Sequence, residues 1–263
     1  MVREKLSVLE RILESLGHAL VAYSGGVDST FLLFVARRIL GENARGVLID
    51  TPLLPPPKKE EALKTSRVLG FPVEVFPVDI FEDQNVVANG PERCYFCKRY
   101  LFSKLLARAG KAVLCDGTNA EDLGELRPGL RAKEELGVRS PLAEAGLTKR
   151  EIRELSREFG LPTWDKPSYS CLATRIPQGT RLTQDLLDRI GRLEHFLEGL
   201  GFSGFRVRHH GSIARLEFEE KDFSLLLEPE KRRRILEEFQ KAGYRFVTLD
   251  LAGYQKGSMD REV

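Results

Sequence analysis

The chain has 263 residues, of which 42% are hydrophobic and 30% charged, and its formal net charge is +2. It is long enough for one large or two modest domains, and so small a net charge gives no reason to expect nucleic-acid binding. No apolar run approaches the roughly 20 residues that span a bilayer, and acidic residues near the start are untypical of a signal peptide. We therefore expect a cytoplasmic protein whose four cysteines form no structural disulfides.

The hydrophobic pattern predicts alternating strands and helices in the first part of the chain. Short apolar runs predict buried parallel strands, which we place at 19–22, 46–50, 73–78 and 112–116. Leucines and an isoleucine at helical spacing predict a helix at 2–16, and further helices are predicted from Phe31 to about 40, at 58–70 and at 95–109. Such alternation is typical of an α/β fold with a doubly wound parallel sheet.

The pattern changes after the fourth strand. Residues 127–130 predict a surface loop, and a capping box at 148–151 begins a helix that ends at Gly160. Residues 164–183 predict a long ordered loop or hinge, and such loops are usually functional.

A smaller α+β unit follows the hinge. Its helices are predicted at 183–200 and 229–242, and its strands at 205–209, 213–218 and 246–251. We therefore divide the chain into a first domain, 1–165, and a hinge loop with a smaller domain, 166–263.

A glycine pair connects the first predicted strand to the following helix. The string is Ser24-Gly25-Gly26-Val27-Asp28-Ser29. The glycines allow a tight turn and a close approach of backbone to ligand, and the first helical turn offers N–H groups and a dipole that favour an anion. The string therefore predicts a phosphate-binding loop, although it is neither a Walker A loop nor a GxGxxG fingerprint.

The neighbouring strand ends add two candidates for nucleotide binding. Ile49 lies near the end of the second predicted strand, where an adenine ring is expected in an open parallel sheet. Gly117 directly follows the fourth strand. Asp28 is a candidate metal ligand, with an N-terminal helix cap as the alternative.

Three cysteines lie in loop or helix-start contexts. Cys94 and Cys97 form a C-x-x-C motif, and Cys171 lies in the hinge loop. Their chemistry fits an iron–sulfur cluster with one open iron, a redox pair, a zinc site without an obvious fourth ligand, or inert apolar residues. Cys115 lies inside a strand pattern and is interpreted as a small core residue.

The Ser-Gly-Gly-Val-Asp-Ser string resembles the PP-loop of the ATP pyrophosphatases, which cleave ATP between its α- and β-phosphates. Together with Arg127-Pro128-Gly129, Cys171 to Arg175 and the strand Arg206-Val207-Arg208, it resembles the LarE sulfur transferases over nearly the whole chain. That family adenylates pyridinium-3,5-biscarboxylic acid mononucleotide and converts its carboxylates to thiocarboxylates. The resemblance implies ATP and Mg²⁺ bound by Ser24 to Ser29, and a homo-oligomer built through the smaller domain.

The resemblance also implies how sulfur is supplied. One form of the family sacrifices a cysteine in the region of Cys171. The other form carries additional cysteines, and the C-x-x-C motif places this chain with it. Cys94, Cys97 and Cys171 are then expected to ligate a [4Fe–4S] cluster that receives sulfide or another sulfur donor.

A substrate with two carboxylates and a phosphate needs cations. Arg206 and Arg208 alternate onto one strand face and are the strongest candidates, with a solvated strand face as the alternative. Arg175 and Arg181 flank the segment after Cys171 and are weaker ones. Two further function classes remain open: another PP-loop enzyme, such as a tRNA thiolase or an amidotransferase-type synthetase, and a non-enzymatic sulfide carrier that binds ATP.

Overall fold

The computed structural model describes residues 2–124, 128–255 and 259. Its contacts divide the chain into two units. The first comprises Met1–Thr51, Pro56–Val86 and Glu92–Tyr169, and the second comprises Pro52–Pro55, Val87–Pro91 and Ser170–Val263. Apart from the two short segments Pro52–Pro55 and Val87–Pro91, the chain enters the second unit after Tyr169. The roles of the first domain in ATP binding, and of the smaller domain in substrate binding and oligomerisation, stay predictions.

The first unit contains a four-stranded parallel sheet. Its strands are β1 (Ala19–Ala22), β2 (Ala44–Asp50), β3 (Val73–Pro77) and β4 (Val113–Cys115). Their order is β3-β2-β1-β4, and all pairs are parallel. The chain thus extends the sheet on one side of β1 and then returns to its other side, which creates a topological switch point beside β1. The predicted α/β fold with a parallel sheet is confirmed.

Helices flank this sheet. In chain order they are α1 (Val2–Leu16), α2 (Val27–Leu40), α3 (Pro56–Val68), α4 (Gln84–Val87), α5 (Arg93–Ala109), α6 (Pro128–Glu135), α7 (Pro141–Glu144) and α8 (Lys149–Glu158). A buried cluster that includes Leu20, Val47, Leu105 and Leu114 packs α5 against the sheet. None of the described helices is long and apolar enough to cross a membrane.

The predicted surface loop at 127–130 is wrong for its last three residues. Pro128 begins α6, because proline is well suited to the first turn of a helix, where its missing N–H has no partner anyway. Arg127 lies outside the described residues.

The second unit is an α+β structure, as its sequence pattern predicts. Its elements are α9 (Gln184–Gly199), β5 (Arg206–His210), β6 (Ile213–Glu217), α10 (Phe223–Leu226), α11 (Pro229–Lys241) and β7 (Phe246–Leu249). β5 and β6 pair antiparallel, and β7 pairs parallel to β6. Val207, Leu216, Phe218 and Phe239 are buried in its core.

A capping box begins α8, as predicted. The Thr148 hydroxyl accepts a hydrogen bond from the Glu151 N–H, and the Glu151 carboxylate accepts one from the Thr148 N–H at 2.9 Å. Lys5 of α1 donates to the same carboxylate at 2.8 Å. Burial would raise the pKa of Glu151, but Lys5 and Thr148 outweigh it and lower this pKa to about 2. These contacts fix the start of α8, where Lys149 lies.

We expect Glu151→Gln to destabilise the protein in a pH-dependent way. Because the folded-state pKa lies below the ordinary value of 4.5, the carboxylate stabilises the fold fully above about pH 4.5, and this contribution is lost as the pH falls toward 2. The variant should lose about 2–3 kcal/mol of unfolding free energy at pH 7 and almost none near pH 2. Urea unfolding at several pH values measures this difference. Glu154→Gln, an exposed change on the same helix, is the control, and a loss that does not vary with pH would contradict the assignment.

Candidate functional site

The predicted phosphate loop occupies the turn between β1 and α2. Gly25 adopts a left-handed backbone with φ of 70°, and Gly26 is the N-cap of α2 without a side-chain cap. A Cβ on Gly25 would collide with Cβ of Ala62 and lie 2.7 Å from its Cα. Both the backbone conformation and the contact with α3 therefore require glycine at this position.

Two serine hydroxyls lie close together on one side of this loop, which we call its polar side. Ser24 Oγ and Ser29 Oγ are 3.0 Å apart, and Ser29 Oγ also accepts from the Ser24 N–H at 3.2 Å. The Gly26 N–H points at Ser24 Oγ from 3.4 Å. Val27 is the first residue of α2 and is buried. The loop thus brings together hydroxyls and backbone N–H groups, the donor types that phosphate sites use.

Asp28 lies in the first turn of α2 and forms an ion pair with Lys149, the first residue of α8. Its Oδ2 accepts from the lysine, whereas its buried Oδ1 has no hydrogen-bond partner among the described residues. Burial raises the pKa of Asp28 above its ordinary value, Lys149 opposes this rise, and Asp122 adds to it. The helix-cap alternative for Asp28 is excluded, since Gly26 is the N-cap.

The orphan oxygen of Asp28 fits a hard cation. Buried carboxylate oxygens are costly without a partner, and Mg²⁺ is bound by one or two carboxylates together with substrate phosphates. Asp28 Oδ1 lies beside the phosphate loop and meets this description. The residues present therefore suit the magnesium ion that ATP chemistry requires.

Gly117 packs against the start of α2 from the side of β4. A Cβ at this position would lie 3.0 Å from the Ser29 amide nitrogen. The neighbouring Asp116 carboxylate accepts from Thr118 and Ser140, both at 2.7 Å, and from Lys133 at 3.4 Å. Burial lowers the pKa of Lys133, and Asp116 opposes this shift. This buried network holds the segment with Gly117 against the phosphate loop.

Ile49 lies at the far end of β2 and is half-buried. Its side chain packs against the core cluster that contains Leu20 and Val47. The next residue, Asp50, pairs with Lys59 of α3 at 2.9 Å. The structure thus places Ile49 at the carboxyl edge of the sheet, and its contact with an adenine ring stays a prediction.

The four cysteines have different environments. Cys94 is exposed and Cys97 half-buried, both in the first turns of α5. Cys115 is buried in β4, where burial raises the pKa of its thiol to about 12, in agreement with a core role. Cys171 is the half-buried N-cap of a 3-10 turn at Leu172–Arg175.

Cys94 and Cys97 are spaced by nearly one helical turn, so their Cβ atoms lie on the same side of α5. However, no group of three His, Cys, Asp or Glu side chains suited to a metal ion occurs within residues 2–124, 128–255 and 259. Cys94 and Cys97 belong to the first unit and Cys171 to the second. The cluster stays a prediction.

Arg175 is completely buried and fixes the turn that carries Cys171. Its guanidinium forms a bidentate pair with Glu194, at 2.8 and 3.0 Å. It also donates to the carbonyl oxygen of Ser170 at 3.0 Å and to that of Cys171 at 3.3 Å. In this structure Arg175 therefore positions the cysteine segment.

Arg206 and Arg208 are buried as well. Arg208 pairs with Glu217 at 2.7 Å and donates to the Thr174 carbonyl oxygen at 2.7 Å. Arg206 lies 4.6 Å from the Tyr254 ring centroid. A solvated strand face is thus excluded for both arginines. Arg181, in contrast, is exposed. Substrate binding by these residues stays a prediction.

Sequence reasoning misses Lys149, Glu194 and Glu217. In the sequence, Lys149 is recognisable only as a residue within the capping box at 148–151. Glu194 is one of several acidic residues in a predicted helix, and nothing in the sequence distinguishes it from the others. Glu217 lies on β6, next to the strand that carries Arg206 and Arg208. An acidic residue on a strand that neighbours two arginines is a usable signal for a cross-strand ion pair. The contacts of Lys149 and Glu194 join distant parts of the chain and leave no local signal.

The chain is similar to several known proteins. It is 40% identical to an uncharacterised protein of Synechocystis sp., over 99% of this chain and 98% of that protein. It is 35% identical to the pyridinium-3,5-bisthiocarboxylic acid mononucleotide synthase of Lactiplantibacillus plantarum, over 97% of this chain and 94% of the synthase. With one of the subunits of the glutamine-hydrolysing GMP synthase of Archaeoglobus fulgidus it shares 30% identity, over 56% of this chain and 52% of that subunit. No protein-family model matches the chain.

We expect Gly25→Ala to damage the loop far more than Gly26→Ala. At Gly25 the new Cβ collides with Ala62 and the backbone is left-handed, which together should cost about 2–4 kcal/mol. At Gly26 the nearest atom lies 3.4 Å away and φ is −80°, so the matched variant should fold normally. Thermal unfolding measures both variants. Equal stability of the two variants would contradict the close contact.

Proposed function

The chain belongs to the enzyme family of the pyridinium-3,5-bisthiocarboxylic acid mononucleotide synthase, and we propose that it is an ATP-dependent sulfur transferase acting on pyridinium-3,5-biscarboxylic acid mononucleotide. The observation that carries the proposal is the loop after β1. Its glycine pair, its hydroxyls and the buried Asp28 oxygen without a partner among the described residues suit a phosphate group and a magnesium ion. The chain is related to the synthase over nearly its whole length, which supports the same interpretation.

The proposed reaction has two steps. A carboxylate oxygen of the substrate attacks the α-phosphorus of ATP, which forms an acyl-adenylate and releases pyrophosphate. A sulfur nucleophile then adds to the acyl carbon, and AMP departs with the electron pair of the broken C–O bond. The first step is needed because a carboxylate alone would have to expel oxide, a very poor leaving group.

Within the first unit, the loop from Ser24 to Ser29 would bind the part of ATP that becomes pyrophosphate. Its N–H and hydroxyl donors face developing negative charge without reorganisation. Asp28 would hold Mg²⁺ through Oδ1, and the ion supplies charge neutralisation at the phosphates. Lys149 remains close enough, through its pair with Asp28, to add positive charge.

The second unit has the charge needed for an anionic substrate. Arg175, Arg206 and Arg208 are all buried and are accompanied by Glu194 and Glu217. Burial, followed by the positive charge of Arg175, lowers the pKa of Arg206, and Tyr254 and Glu194 oppose this shift. We propose that Arg206 and Arg208 bind the phosphate or a carboxylate of the substrate, with Arg175 and Arg181 as additional candidates.

For the sulfur source we propose a [4Fe–4S] cluster held by Cys94, Cys97 and Cys171. Three thiolate ligands leave one iron open for an exchangeable sulfide. The alternative is that Cys171 gives up its own sulfur. Cys171 is half-buried in a turn held by Arg175, and its catalytic role is common to both routes.

A second candidate is another PP-loop enzyme, such as an amidotransferase-type synthetase. The similarity to the GMP synthase subunit supports it, but that similarity covers 56% of this chain. A homo-oligomer built through the second unit is also proposed, and solution scattering tests it.

We expect the protein to convert ATP to AMP and pyrophosphate in the presence of the dicarboxylate nucleotide. Asp28→Ala removes the metal-binding oxygen and should abolish this reaction while the far-UV circular dichroism is unchanged. Measurement of pyrophosphate and AMP by coupled assays and chromatography tests the proposal. Release of ADP and phosphate would contradict it, and Glu14→Ala, at an exposed position of α1, should have no effect.

The cysteine roles can be separated by mass and metal content. Anaerobically purified protein should contain iron and sulfide, and Cys→Ala changes at 94, 97 or 171 should remove the cluster absorbance, whereas Cys115→Ala should not. After turnover, the mass of Cys171 should be unchanged. A loss of one H₂S at Cys171, with full activity of Cys94→Ala and Cys97→Ala, would establish the sacrificial route instead.

A further inference from the structure

Lys166 contacts the phosphate loop although no motif points to it. Its Nζ donates to the Gly25 carbonyl oxygen at 2.8 Å and lies 3.0 Å from a carboxylate oxygen of Glu61. The lysine side chain is only 18% exposed, whereas that of Glu61 is 43% exposed. The Lys166 side chain, which contacts the loop backbone, is therefore better shielded from solvent than its carboxylate partner.

The Gly25 carbonyl and the Gly26 N–H belong to the same peptide group. In a trans peptide these two groups point in opposite directions, and no cis peptide occurs in the described chain. The Gly26 N–H points at the Ser24 hydroxyl on the polar side of the loop, while Lys166 binds the carbonyl on the opposite side. Lys166 therefore holds this peptide in the orientation that directs its N–H toward the Ser24 hydroxyl, the side of the loop on which the phosphate is proposed to bind.

A glycine pair needs such an anchor. Glycine populates positive and negative φ about equally, so the peptide between two glycines can flip with little steric resistance. A flipped peptide would direct a carbonyl oxygen, rather than an N–H donor, at the bound phosphate. An ammonium on the carbonyl opposes this flip, and it also polarises the peptide, which makes the N–H a stronger donor.

The backbone of Lys166 is itself fixed. Its N–H donates to the Thr163 carbonyl oxygen at 3.1 Å, and its carbonyl oxygen accepts from Arg153 of α8 at 2.7 Å. Arg153 also donates to the Trp164 carbonyl oxygen at 2.6 Å. The anchor is therefore held in place before the nucleotide arrives.

We propose that Lys166 is a positioning residue for the pyrophosphate part of ATP, which it serves by fixing the Gly25–Gly26 peptide. This inference rests on the proposed function of the loop. Lys166 lies five positions before Cys171 in the chain.

Binding of magnesium pyrophosphate to the full-length protein tests the inference without catalysis. By isothermal titration, Lys166→Met should weaken this binding by about tenfold to a hundredfold, as expected for loss of a charge-assisted hydrogen bond that orients a donor. Lys166→Arg retains a cationic donor and should recover most of the affinity. Glu61→Gln keeps the contact with Gly25 and should bind nearly as the wild type does. Lys104→Met, which removes the same charge from a surface pair with Glu82, should have no effect.

The peptide itself can be observed by NMR. Gly25 and Gly26 form the single Gly–Gly pair in the sequence, so labelling with [1-¹³C, ¹⁵N]glycine gives one HNCO cross-peak, which reports both ends of this peptide. Lys166→Met should move its ¹³C frequency upfield, as expected when a carbonyl loses a hydrogen bond, and Lys166→Arg should move it back toward the wild-type position.

The outcomes separate the inference from the function on which it rests. If wild-type protein binds neither pyrophosphate nor ATP, the proposed function fails. If wild type binds and Lys166→Met binds equally well with an unmoved cross-peak, the positioning role is wrong. If Lys166→Met does not fold, Arg153→Leu replaces it as the test, because this change releases the Lys166 backbone but retains the lysine side chain. Arg153→Leu should also weaken pyrophosphate binding. Unchanged affinity of that variant would overturn the inference.

Discussion

The phosphate loop depends on two close backbone approaches. Gly25 meets the backbone of Ala62 on α3, and Gly117 meets the first turn of α2 at Ser29. A side chain at either place would push the loop out of its position between α3 and the β4 end of the sheet. Packing at the carboxyl edge of the sheet, together with Lys166, therefore sets the direction in which the loop amides point. The glycines themselves only allow the backbone to adopt that conformation.

Buried charges in each unit are matched by partners from distant parts of the chain. An isolated ion in a protein interior costs several kcal/mol, more than the roughly 1.5–3 kcal/mol that one hydrogen bond to a charged group contributes. Arg175 is stable at zero exposure because oxygens of Glu194, Ser170, Cys171 and Thr174 surround it. An apolar side chain of similar size would cost less to bury, so we interpret this arginine as the residue that gives the Cys171 turn one defined shape.

The sequence is sufficient to predict the features that are local. Apolar runs predict the four parallel strands, the glycine string predicts the loop, and Thr148 with Glu151 predicts the start of α8. The start of α6 is missed because Pro128 and Gly129 are typical of loops, although proline also suits a first helical turn. The site is less predictable, since Lys149 and Lys166 reach the loop from far along the chain. Such contacts are set by how α8 packs, and no spacing in the sequence encodes them.

The two oxygens of Asp28 explain why a lysine and a metal-binding role are compatible. Lys149 contacts Oδ2, and Oδ1 is the buried oxygen without a partner among the described residues. A cation can therefore bind Oδ1 without displacing the lysine. Asp28 must be ionised to bind a cation, and burial raises its pKa above the ordinary value. Metal binding therefore becomes weaker as the pH falls and the carboxylate is protonated. Because Lys149 opposes the rise, it extends toward lower pH the range in which Asp28 is ionised, and it does so from a helix start that the capping box and Lys5 hold in place.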